Sequence, residues 1–127
     1  MKKLTLNIDE GVLLEGPKAN IYPEFCEFIN DKIQAFKKEI EDDENVLLEK
    51  DDKDKCLEKL GDLSRKLTFI QTMNLSKKSD SIWQSELFGF LSEFEGVINA
   101  YFKDGERKSD KLRDELLSEF KNLQNKA

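Results

Sequence analysis

From Pro23 onward, apolar residues recur every three or four positions, and this period predicts four amphipathic helices. In the first, Phe25, Ile29, Ile33, Phe36 and Ile40 form one stripe flanked by Cys26 and Phe28, with Glu27, Asp31 and Lys38 opposite. Proline suits a first helical turn, where its missing N–H has no acceptor to lose, so this helix is expected from Pro23 to about Asp42. The second is expected from Cys56 to about Thr72, on a stripe of Leu57, Leu60, Leu63 or Ser64, Leu67 and Ile70, with Phe69 and Met73 alongside.

After a linker from Asn74 to Asp80, Ser81 followed by Gln84 fits a capping box and opens a third helix, Ile82 to about Lys103. Its apolar arc is wide: Trp83, Leu87, Phe88, Phe90, Leu91, Phe94, Val97, Ile98, Tyr101 and Phe102. An arc of that width predicts a helix at the centre of a bundle. Gly89 and Gly96 inside it read as close-packing positions, and Gly105 as the left-handed residue that ends it. The fourth helix, Ser109 to Asn125, carries a narrow stripe of Leu112, Leu116, Phe120 and Leu123, with Leu117 beside it. That stripe suits either closure of the bundle or pairing with a second copy.

The N-terminal segment has a different period. Leu4, Leu6 and Ile8 alternate with Thr5 and Asn7, Gly11 suits a tight turn, Val12-Leu13-Leu14 follows, and Gly16-Pro17 closes the segment. This reads as a short β-hairpin or an extended arm. An isolated hairpin is marginal in water, so it must lie on the helices or pair with another chain. The expected fold is mainly α: a small four-helix up-and-down bundle with that N-terminal element, one domain over residues 1–127.

Charge changes this picture at one place. Nine of the sixteen residues from Glu39 to Asp54 are acidic and two are lysines, so the segment carries −7 in a chain of net −6. The negative field is therefore local. Inside it, Val46-Leu47-Leu48 is an apolar island that reads either as a cap on the core or as an exposed anchor ringed by acid. The cap is favoured, because apolar side chains in loops usually pack inward.

Candidate chemistry is mostly excluded. The chain has no histidine, which removes Ser-His and Cys-His catalysis within one subunit and His-ligated metals. Cys26 and Cys56 have neither metal-site nor redox-pair spacing. On antiparallel helices they are offset by about 9 Å, beyond disulfide reach, so two reduced thiols are expected. EF-hand registers starting at Asp51 or Glu41 place Cys56 or Val46 where glycine is required. Carboxylates crowded among lysines in the most hydrophilic stretch suit solvation better than acid–base catalysis.

Basic dipeptides at Arg65-Lys66, Lys77-Lys78 and Arg107-Lys108 form no stripe, and the net charge opposes phosphate binding, so no direct nucleic-acid contact is expected. No apolar run approaches membrane-spanning length, and the first nine residues do not form a secretory signal, so the expected place is the cytosol with no membrane contact. No cofactor or metal is expected, and no enzyme activity.

What remains is a protein-binding module, an acidic inhibitor or immunity-type protein that occludes a basic partner. Glu41, Asp42, Asp43, Glu44, Asp51 and Asp52 would carry the charge, Leu47 or Leu48 the apolar anchor, and Trp83 a further interface contact. The alternative is a structural, adaptor or chaperone-like subunit, a homodimer through the hairpin or the Leu112–Leu123 stripe.

Overall fold

The computed structural model describes residues 15–73 and 79–126. They form four helices: α1 (Glu15–Asp42), α2 (Lys53–Thr72), α3 (Asp80–Tyr101) and α4 (Gly105–Lys126). Two short 3-10 turns, Glu44–Val46 and Lys50–Asp52, join α1 to α2. The expected N-terminal hairpin lies mostly outside the described residues, and its closing Gly16-Pro17 is already helical.

Side-chain pairs fix the order as up-and-down. The Ser64 hydroxyl donates to Asn30 at 2.8 Å and the Gln71 amide to the Pro23 carbonyl at 3.4 Å, so α1 and α2 run antiparallel. Arg113 reaches Glu95 at 2.6 Å and Ser109 donates to Asn99 at 3.3 Å, which reverses α4 on α3. Lys108 pairs with Glu39 at 2.8 Å and Lys32 with Glu115 at 3.0 Å, closing α4 onto α1. Lys66 of α2 bridges to Glu93 of α3.

The core is one cluster drawn from the predicted stripes: Ile29 and Ile33, Leu60 and Leu67, Phe90 and Phe94, Leu112 and Leu116, among others. Each such side chain contributes about 1.5–3 kcal/mol by leaving water. Aromatic contacts sit at both ends. Tyr22 stacks on Trp83 at 5.2 Å and 5°, with Phe120 beside both Tyr22 and Phe25. Near the far end, Phe36 meets Phe94 and Phe102 edge-on at 5.7 and 5.3 Å.

Several expectations are corrected. The first helix begins at Glu15, not Pro23, which lies inside it. A mid-helix proline costs about 3 kcal/mol and one backbone bond. Burial of Ile21 and Tyr22 around that position supplies the compensation. Pro17, in the first turn, is the proline that sits where its missing N–H costs nothing. Ser79 rather than Ser81 caps α3, its hydroxyl accepting the Ile82 N–H at 3.2 Å.

α3 is one side of a ring rather than its centre. It packs principally on α2 and α4, with Trp83, Leu87, Phe90, Phe94 and Ile98 inward. Of the rest of its wide arc, Phe102 is buried, Leu91, Val97 and Tyr101 are partly buried against the core, and Phe88 is exposed, as is Ile82 at the helix start. Gly89 and Gly96 are not packing positions, because an added Cβ meets nothing within 4 Å at either. The left-handed residue between α3 and α4 is Asp104 (φ 56°), while Gly105 opens α4. A Cβ on Gly105 would lie 2.8 Å from Asn99 Cα and the Ile98 carbonyl, so glycine is needed there for close approach. The Leu112–Leu123 stripe is spent inside the bundle: Leu112, Leu116 and Leu123 are buried.

Candidate functional site

The acidic segment forms one end of the bundle. Glu41 and Asp42 finish α1, Asp43 and Glu44 enter the first 3-10 turn, and Asp51 and Asp52 lie in the second, leading into α2. Glu41, Asp42, Asp43, Glu44 and Asp51 are exposed and Asp52 is partly covered. The fold therefore brings all six predicted acids to one end of the bundle, five of them exposed.

The ridge is held on a frame. Leu47 is 1 % exposed and forms an antiparallel bridge with Phe102 in the α3–α4 corner. The Leu48 N–H donates to the Tyr101 carbonyl at 2.9 Å, and the Lys103 N–H donates to the Val46 carbonyl at 2.8 Å. The apolar island is thus a cap through Leu47, with Val46 partly buried against the core. Leu48, the next residue, is 53 % exposed among the acids. Of the two candidate anchors, Leu48 is the one that faces solvent.

Trp83 is at the other end of the molecule and is 2 % exposed, stacked on Tyr22. It is an internal residue, contrary to the expectation of a solvent-facing side chain. Proximity of a tryptophan to a helix start says little about its exposure when another helix, here α1, extends to cover it.

The acids differ in what the fold does with them. Asp43 Oδ1 accepts the Asn45 N–H at 3.0 Å and so caps the first 3-10 turn. Glu44 pairs with Lys53 at 3.6 Å and Glu39 with Lys108 at 2.8 Å. Asp51, Asp52 and Asp54 stand around the α2 N-terminus, where the helix dipole favours negative charge. Glu41 and Asp42 stand in the last turn of α1, which contains no base. There the dipole opposes them. Asp42 has only an exposed contact with Lys38 at 3.6 Å, and Glu41 has no ion-pair partner among the described residues.

The Cys56 thiol is pushed up from 9.0 to about 11 by burial, and further by the charge of Asp52 one turn before it. Both cysteines are buried and unbridged. The raised value keeps Cys56 in the thiol form at neutral pH, and the thiolate is the reactive form. Among the described residues, no group of three acids or cysteines could hold a metal ion. No described helix is long and apolar enough to cross a membrane.

Residues outside the acidic segment also belong to this end. The α3–α4 corner adds Lys103, Asp104, Glu106, Arg107 and Lys108, so residues 39–54 and 103–108 together carry −6. Local periodicity gives no hint of this pairing. The up-and-down order does, since it places the first and third corners at the same end. Comparison with known proteins gives no match: no family model, curated protein or solved structure aligns with the chain.

Proposed function

We propose that the chain is a non-enzymatic protein-binding module that docks its acidic end onto a basic partner, as an inhibitor or immunity-type protein does, and occludes the surface it covers. The observation that carries this reading is the placement of Glu41 and Asp42. They occupy a helix end where negative charge is unfavourable and no base offsets it within that turn. Asp42 is offset in part by Lys38 one turn back, but Glu41 is not, and residues that break a local rule without structural return concentrate at functional sites.

Further support comes from the frame. Backbone bonds to Tyr101 and Lys103 and the buried Leu47 hold the corner. A surface ordered in advance loses less entropy on binding. The acids steer the encounter, and Leu48 supplies an apolar contact at their centre.

The test is parallel capture from a lysate of the native host. The baits are the wild-type chain and a variant with Glu41, Asp42, Asp43, Glu44, Asp51 and Asp52 changed to the matching amides. A basic protein held by the wild type, released by moderate salt and lost from the variant supports the reading. Equal capture by both, or a partner that survives high salt, favours the adaptor alternative.

A further inference from the structure

A second surface lies toward the opposite end from Leu47 and is apolar. Between α2 and α3 a groove of about 420 Å³ is lined by Phe69, Ile70, Met73, Gly89 and Phe90. Phe69 is 61 % and Met73 43 % exposed, and Ile82 stands close by in sequence on the first turn of α3 with half its surface in water. Gly89 leaves the α3 side open, since nothing lies within 4 Å of where its Cβ would be. Past the Lys66–Glu93 bridge the furrow continues along Gly96 and Ala100 for another 360 Å³ or so. Large apolar side chains beside an open furrow mark a docking surface rather than scattered exposure.

We propose that the occupant is the chain's own N-terminal segment, with Leu4, Leu6 and Ile8 seated in the α2–α3 groove. Three observations select it. The first is position. Pro23 is level with Gln71, and Tyr22 with Gln84, so the start of α1 projects past the end where α2 finishes and α3 begins. Met73 and Ser85 line the groove toward that end.

The second is reach. From Glu15 to the level of Gly89 is about 18 Å along the bundle. Ile8 precedes Glu15 by seven residues and Leu4 by eleven, spans of roughly 23 and 36 Å when extended. Leu4 to Ile8 can therefore cover the groove from the level of Met73 to Gly89, with length left for the sideways path. The third is chemistry. Alternation gives the segment one aliphatic face in extended form. This surface is separate from the acidic ridge, and neither proposal depends on the other.

The experiment uses the full chain with Thr5→Cys carrying a nitroxide, the buried native thiols being protected from the reagent. Nitrogen-15 spectra then report which amides the label broadens. The expected result is intensity loss at Phe69, Met73, Ser85 and Gly89 that persists on dilution and vanishes in Leu6→Ser/Ile8→Ser. It also vanishes in Gly89→Leu, which fills the groove from a site with room for a side chain. No loss at these amides overturns the proposal, as does loss confined to another surface. Loss that also arises when spin-labelled and nitrogen-15 copies are mixed overturns it in favour of a second copy as the occupant.

Discussion

Changing Glu41 to Gln should make this protein more stable while weakening its binding. The charge sits in the last turn of α1, where the unsatisfied carbonyls present the negative end of the helix dipole and no base is present. Of those carbonyls, that of Glu39 is satisfied by the Asp43 N–H at 3.0 Å. An unfavourable charge in a terminal turn costs about 0.3–1 kcal/mol at low ionic strength. Glu41 has no compensating ion pair among the described residues, so the whole of that cost is recovered on neutralisation.

Asp42→Asn gives up the Lys38 contact at 3.6 Å as well, but both partners are mostly exposed. Such pairs are worth about 0–0.5 kcal/mol, so the net gain there is close to zero. The expected ordering in urea melts at low salt is Glu41→Gln above wild type by about 0.3–1 kcal/mol, and Asp42→Asn near wild type. At molar salt the gain should disappear, because the Debye length falls to about 3 Å. A Glu41→Gln protein that is less stable than wild type at low salt would refute the reasoning, as would a gain indifferent to salt.

Other outcomes follow from the same geometry. Gly89→Ala should stabilise by about 0.5–1 kcal/mol through helix propensity alone, whereas Gly105→Ala should cost about 1–3 kcal/mol because its Cβ meets backbone at 2.8 Å; thermal melts of the two should move in opposite directions. Leu47→Ala should cost about 2–5 kcal/mol by emptying a buried site, while Leu48→Ala should leave stability within about 0.5 kcal/mol of wild type and weaken partner binding. Burial raises the Tyr22 hydroxyl from 10.0 to about 12. The unfolded chain ionises first, so stability is full below pH 10 and falls as pH rises toward 12, by about 2–3 kcal/mol in all. Tyr22→Phe should remove that part of the alkaline loss in urea melts at pH 8 and pH 11.5, leaving the loss that Cys56 contributes from pH 9.0 to about 11.

Most of the helical core was legible because a 3.6-residue period leaves the same mark whatever the partners are. Ile29, Ile33, Leu60, Leu67, Phe94 and Leu116 are buried as their spacing requires. The departures have one cause in common: long-range packing decided them. Pro23 reads locally as a helix start, yet Ile21 and Tyr22 are buried against other helices and the helix continues upstream of it. Trp83 reads as a helix-end residue, but Tyr22, brought by that upstream extension, stacks on it. Gly105 reads as a turn residue by its freedom of φ, and the fold uses instead its lack of a side chain. In the acidic end, the charge was visible in the chain. That Leu47 turns inward and Leu48 outward was not, because it depends on bonds to Tyr101 and Lys103, more than fifty residues away.

The most direct measurement is hydrogen–deuterium exchange across the whole chain with and without the captured partner. Docking through the ridge predicts slowed exchange concentrated in residues 41–54 and the facing 101–108 corner, with α2–α3 groove peptides unchanged. Protection centred on Phe69, Met73 and Gly89, with residues 41–54 exchanging as in the free protein, would contradict it.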